Sequence, residues 1–168
     1  TDKQERGRAV TPVGIISGLT NIPESEIYGA ELQLQWYPNE NFALDFSMAY
    51  LDTEIKKYDA VQAESTLLNI VTRDASGLDL ANAPELSYNI TASYDFHVGG
   101  DLVLRPAMDY IYRDDVEGAP FTPQQARESY SLVNARVSLY STVNEKWQLT
   151  AWSRNVTDED YYVSAFTG

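Results

Sequence analysis

Residues 85–98 read Glu-Leu-Ser-Tyr-Asn-Ile-Thr-Ala-Ser-Tyr-Asp-Phe-His-Val, and their alternation decides the fold class. Leu86, Tyr88, Ile90, Ala92, Tyr94, Phe96 and Val98 share one parity, and Ser87, Asn89, Thr91, Ser93, Asp95 and His97 the other. Successive strand side chains point to opposite sides, so this stretch is a β-strand with one apolar and one wet face. It is long enough to cross a bilayer as a tilted strand, which needs about 9–11 residues.

Working outward, the same pattern recurs. Ala30, Leu32, Leu34 and Trp36 oppose Glu31, Gln33 and Gln35, and Phe42, Leu44, Phe46, Met48 and Tyr50 oppose Asp45 and Ser47. Leu102, Leu104, Met108, Tyr110 and Tyr112 oppose Arg105, Asp109 and Arg113. Val133, Ala135, Val137 and Leu139 oppose Asn134, Arg136 and Ser138, and Trp147, Leu149 and Ala151 oppose Gln148, Thr150 and Arg154. Pro106, inside one of these strands, implies a bulge or a missing ladder bond. Residues 1–26 read as a loop or a weak strand around Val10 to Ile16, interrupted by Pro12 and Gly14.

A soluble β-sandwich alternates as well, with its apolar face turned to a core, so periodicity alone does not separate sandwich from membrane barrel. Charge placement and aromatics favour the barrel. No apolar register holds a charged residue, while the opposite registers hold Glu31, Asp45, Asp95, Arg105, Asp109, Arg113, Arg136 and Arg154. Arg or Lys facing lipid at mid-bilayer costs about 2–4 kcal/mol, which excludes charge from one face only. Trp36, Phe42, Phe96 and Trp147 cluster beside short connections, and Tyr28, Tyr50, Tyr88, Tyr110 and Tyr112 toward the opposite strand ends. Two such belts suit the two headgroup layers. Short turns (Pro38-Asn39-Glu40-Asn41, Gly99-Gly100-Asp101, Thr142-Val143-Asn144-Glu145) alternate with long polar segments at Lys56 to Pro84 and Asp114 to Glu128. A structureless loop of the first one's length is foreign to compact soluble domains. The expectation is an all-β, antiparallel transmembrane barrel wall, with short periplasmic turns and long extracellular loops over 27–168.

Composition narrows the function classes. The 168 residues carry 25 acidic and 12 basic side chains, a net charge of −13, which argues against nucleic acid, whose phosphates require Lys and Arg. Cysteine is absent, and His97 is the sole histidine, so neither a thiolate nor a His-cluster metal site is expected. No apolar run approaches the roughly 20 residues of a spanning helix, and mean hydropathy is −0.36. A barrel strand hides its apolar residues at every second position, so that value does not make the chain soluble. Thr1 to Arg8 does not resemble a signal peptide, and an exported parent is expected to start well upstream.

Four motifs in order carry a family resemblance. Tyr28-Gly29-Ala30-Glu31-Leu32 before Tyr37-Pro38 resembles the G-x-E-L strand of TonB-dependent receptors. Asn82-Ala83-Pro84-Glu85 ahead of Tyr94 resembles their N-x-P motif, and Tyr130 through Arg136 their Y-x-L-x-N-x-R strand. Trp147 with Asn155-Val156-Thr157-Asp158 and Tyr161 resembles their W…N-L-T-D…Y signature, with Val in place of Leu. The resemblance spans about Tyr28 to Phe166. It implies a barrel of 22 strands with a plugged lumen, in the outer membrane of a Gram-negative bacterium. Its implied activity is import of a scarce ligand, commonly a ferric siderophore, driven by the inner-membrane TonB complex. Six or seven consecutive strands are expected here. A plug, a TonB-contact segment and a closing strand are missing from the sequence, so a fragment with unpaired edges is the expectation.

Among single residues, Arg113 at the start of a long loop, Tyr130, and Tyr161-Tyr162 near loop ends are the expected ligand-facing positions. Arg105, Arg113, Arg136 and Arg154 on the wet face are expected to pair with lumen carboxylates sooner than to contact ligand, Arg113 being the one of the four also named as ligand-facing, and His97 is expected to be a solvated rim residue. Asp158-Glu159-Asp160 lacks the spacing and turn glycine of a calcium loop and reads as a solvated acidic rim. The sequons at Asn89 and Asn155 fall in or beside strands and read as chance. No catalytic residues and no cofactor are expected. A small closed porin-like barrel and a soluble sandwich or lipocalin-like binder are the rival readings. An enzyme ranks last, since one rim histidine supports no triad.

Overall fold

The structure is a computed structural model that describes residues 3–11, 14–22, 24–63, 70–143 and 147–163. The strands are β1 (Lys3–Thr11), β2 (Gly14–Ile22), β3 (Glu24–Trp36), β4 (Phe42–Lys57), β5 (Asp59–Ala63) and β6 (Ile70–Asp74). They continue as β7 (Leu86–Tyr94), β8 (Phe96–Gly99), β9 (Leu102–Arg113), β10 (Tyr130–Ser141) and β11 (Gln148–Ser153). The main sheet has the order β11-β10-β9-β7-β4-β3, with β8 also on β9; β1-β2 and β5-β6 are separate two-stranded sheets. Every pairing in the main sheet is antiparallel. Consecutive strands are neighbours once the β5-β6 excursion is set aside, so the wall is an up-and-down meander. Its end strands, β3 and β11, do not pair with each other.

Register puts all the apolar parities on one side. One row runs Leu34, Phe46, Ile90, Tyr110, Val133, and the next Leu32, Met48, Tyr88, Tyr112, Ser131. A one-residue slip at any ladder would reverse a strand's faces, and none occurs through these rows. Large side chains on this face stand open: Leu32 is 50 %, Met108 52 % and Leu149 68 % exposed. On the polar face, Val103 is only 1 % exposed, and Ala107 and Ser138 are buried. The sheet therefore curls toward its polar side, and among the described residues no second layer covers the apolar side. A sandwich requires the reverse.

The two aromatic belts form as contacts. Near the short turns Trp36 meets Phe42 edge-on at 6.0 Å and Tyr94 meets Phe96 at 4.6 Å. Toward the other end Tyr88 stacks on Tyr112 at 5.0 Å and on Tyr110 at 6.0 Å. The short turns close by local chemistry. The Asn39 side-chain oxygen accepts the backbone N–H groups of Asn41 and Phe42, both at 2.9 Å. Gly99 and Gly100 take φ of 120° and 58°, values open to glycine without a Cβ penalty. Asp101 links this turn to the next by accepting from Ser141 Oγ at 2.6 Å. Asn144 and Glu145 of the third turn lie outside the described residues.

Pro106 leaves its mark on one side only. Toward β10 the register passes through Val137↔Pro106 unbroken. Toward β7 the ladder stops at Ser93↔Ala107 and resumes, in the same register, at Phe96↔Leu104. Proline has no N–H to donate, and β7 and β8 are one strand interrupted opposite it. On its other side the strand stays bonded to the chain entering β4, where Asp95, in the gap, donates its N–H to the Asn41 carbonyl at 2.8 Å.

The first residues and the long segments hold more structure than the alternation indicated. Val10 to Ile16, expected to be at most a single weak strand, instead spans the end of β1 and the start of β2, which pair as a hairpin; Pro12 lies outside the described residues. The segment Lys56 to Pro84, expected to be structureless, contains the β5-β6 hairpin, with 64–69 outside the described residues. It packs back on the C-terminal end of β4: Ile22, Ile55 and Leu80 form a buried cluster flanked by Tyr58 and Ala83. Ile55 and Leu78 bond through Ile55 N–H to the Leu78 carbonyl at 2.8 Å, and Leu80 N–H donates to the buried Thr53 hydroxyl at 3.1 Å. Burying three aliphatic side chains contributes several kcal/mol locally, at about 1.5–3 kcal/mol each. The β3-β4 hairpin runs past its own tyrosine belt into this region, where Lys56 pairs with Glu54 and, at 3.1 Å, with Glu26. The hydrogen bond to Glu54, then that to Glu26, holds the Lys56 ammonium above its usual pKa.

Candidate functional site

One polar-face row crosses five strands near the long-loop rim: Glu31, Ala49, Ser87, Arg113, Tyr130. Beneath it runs Gln33, Ser47, Asn89, Ile111, Leu132. The β3, β4, β7 and β9 members of these rows line a groove of about 290 Å³ whose wall includes Glu31, Gln33, Ser47, Ser87, Asn89 and Arg113. Acidic Glu31 and basic Arg113 stand three strands apart, roughly 14 Å at about 4.8 Å per strand. The Asn89 Oδ1 atom is buried without a hydrogen-bond partner, while its amide nitrogen donates to Thr91 Oγ1 at 3.4 Å. The groove thus presents carboxylate, amide, hydroxyl and guanidinium groups together, a lining suited to an oxygen-rich ligand.

At its Arg113 end sits an aromatic shelf. Tyr130 is the direct cross-strand partner of Arg113, and the Tyr161 ring stacks on Tyr130 with centroids 4.7 Å apart and planes 24° apart. Three of the four expected ligand-facing residues therefore come together, from β9, β10 and the segment after β11. Tyr162 does not join the stack and stands 75 % exposed beside it. Sequence reasoning assigned Glu31, Gln33, Ser47, Ser87 and Asn89 to the wet face without singling them out. Their parity was visible, but their alignment into a groove depends on register. Ile111, Leu132 and Val103 show that the wet face is not uniformly polar.

The other arginines divide. Arg105 pairs through two nitrogens with Asp95, which lies in the gap between β7 and β8, and its guanidinium lies 5.2 Å from the Tyr140 ring. Arg154 covers Trp152 at 5.1 Å. Arg113 and Arg136 have no ion pair with a described residue, which leaves the Arg113 charge available to the groove. His97 is exposed on the opposite rim, opposite Val103. Asp158 and Asp160 are exposed, and no metal-holding group of three or more His, Cys, Asp or Glu occurs among the described residues.

An antiparallel meander with an outward apolar face, paired aromatic belts and a polar face lined with charge defines the wall of an outer-membrane β-barrel. The sequence matches the family described as TonB dependent receptor-like, beta-barrel, over residues 2–156. The chain belongs to that family. Comparison with curated proteins and with solved structures gave no match. Membership places it in the Gram-negative outer membrane, in a receptor that works with TonB, and in a family of transporters rather than enzymes.

Proposed function

We propose that this wall segment contributes a ligand-facing surface for uptake of a ferric siderophore or similar iron complex, with Arg113, Tyr130, Tyr161 and Tyr162 as its contacts. The observation that carries the reading is the Arg113–Tyr130–Tyr161 constellation at the long-loop rim, continuous with the polar groove. Ferric catecholate complexes are anionic, rich in oxygen and aromatic. A guanidinium with no ion pair among the described residues attracts the charge, and stacked tyrosines offer faces for the rings. In this reading residues 1–168 are one stretch of a 22-strand wall, with short turns in the periplasm and long loops outside. An N-terminal plug links the receptor to the inner-membrane TonB complex.

The test is a titration of the intact receptor in detergent micelles with ferric tris(catecholate) and a ferric hydroxamate, followed by intrinsic fluorescence quenching. Binding of one complex, weakened about tenfold or more by Arg113→Ala, is expected, since a hydrogen bond to a charged group is worth about 1.5–3 kcal/mol. Absence of binding by either complex overturns the iron reading. TonB-independent ion conductance in planar bilayers would replace it with a passive pore.

A further inference from the structure

The segment after β11 does not leave the sheet freely. Near its start, Asn155 N–H donates to Asn134 Oδ1 at 3.0 Å and Val156 N–H to the Val133 carbonyl at 2.7 Å. Asn155, at φ 49°, also closes a loop onto Glu159: its amide donates to the Glu159 carbonyl and its Oδ1 accepts the Glu159 N–H, both at 2.9 Å. At the far end, Arg127 takes over. Its Nη1 donates to the Val163 carbonyl at 2.8 Å, and its Nη2 to Asn82 Oδ1 at 2.7 Å. Asn82 in turn donates its N–H to the Glu117 carbonyl at 3.1 Å. One guanidinium therefore joins three outer segments: the loop before β7, the loop between β9 and β10, and the strap from Asn155 to Val163.

Tyr161 lies between the two anchors, and it is there that it stacks on Tyr130. We propose that Arg127 is the positioning residue of the aromatic shelf: it pins the far end of the strap so that Tyr161 is presented on Tyr130 beside Arg113. This rests on the reading of that shelf as ligand-facing. Fixing the backbone of each strap residue costs conformational entropy, and a single ring stack does not offset that cost along its length. The bonds at Asn155 hold only the near end. Arginine suits the far end because its planar fork reaches two acceptors at once, whereas a lysine ammonium is a single point donor on a flexible stem.

The test uses the intact receptor in micelles with a nitroxide label at Asp160→Cys, an exposed position in a chain without cysteine. A broad, immobilised spectrum is expected for the parent, a sharp one for Arg127→Ala, and an intermediate one for Arg127→Lys. Thermal stability of the barrel should stay unchanged across all three. Affinity for ferric tris(catecholate) should fall roughly tenfold in Arg127→Ala, the loss of about two modest hydrogen bonds, and recover in part with Lys. A spectrum unchanged by Arg127→Ala overturns the proposal, as does a freed label with unaltered ferric affinity. A parent receptor that binds no ferric complex overturns the iron reading alone, because the spectra still report whether Arg127 pins the strap.

Discussion

Replacing Leu32 by arginine separates a lipid-facing wall from every water-facing alternative. Leu32 lies midway between Tyr28 and Trp36 on β3, opposite Met48, and is 50 % exposed. The path from Tyr28 to Trp36 measures roughly 26 Å at about 3.3 Å per residue. A strand tilted about 40° projects this to about 20 Å, inside an apolar band roughly 25 Å tall. Leu32 therefore sits near the bilayer midplane, where arginine costs about 2–4 kcal/mol, a fall of roughly 30- to 700-fold in the folded-to-unfolded ratio. In water, a substitution at so exposed a site stays within about 0.5 kcal/mol. Gln33→Arg, one residue along and opposite Ser47 on the polar face, is the matched control and should be near neutral. The assay is urea unfolding of the intact receptor in lipid vesicles, followed by heat-modifiable electrophoretic migration. Equal effects for the two variants, or a larger one for Gln33→Arg, would refute the assignment of the faces.

Two further outcomes follow from local geometry. A Cβ on Gly29 would stand 2.9 Å from the Tyr50 carbonyl oxygen and 3.3 Å from Leu51 Cδ1, so Gly29→Val should destabilise the β3-β4 pairing by about 1–3 kcal/mol, read by the same urea titration; a neutral Gly29→Val would show that the strands can separate there without cost. In the long segment after β4, the Asp74 carboxylate accepts the Ser76 hydroxyl and N–H, which lowers its pKa from the ordinary 3.8. A depressed folded-state pKa stabilises above the unfolded value and loses that contribution as pH falls through the folded value. Amide protection at Ser76 should thus decline below about pH 3.8 in the parent but not in Asp74→Asn, and a decline on raising the pH instead would contradict the mechanism.

Much of the wall was legible because strand parity is a local property. From Glu85 to Val98, or Phe42 to Tyr50, the face of each side chain follows from its place in the chain alone, and the belts follow from which residues end each run. The Pro106 interruption was legible for the same reason, since the missing N–H belongs to the residue itself. Only the side of the break needed the partners' identity: β10 passes it, and β7 does not. The folded character of Lys56 to Pro84 was not legible. Its core joins Ile22, Ile55 and Leu80, and none of the three sits in a periodic run that marks it as buried.

The sequence by itself determined that the protein is built of two-faced strands, that charge is confined to one face, and that its motifs resemble one transporter family. Tertiary structure alone decided which face is open, because a sandwich and a membrane wall share the same alternation and differ only in what covers the apolar side. It also decided the site. Arg127 meets Val163 and Asn82 across separations of 36 and 45 residues, and Glu31 shares a row with Arg113 only through three successive ladders. Such alignments depend on register between strands, a non-local quantity that no single segment encodes.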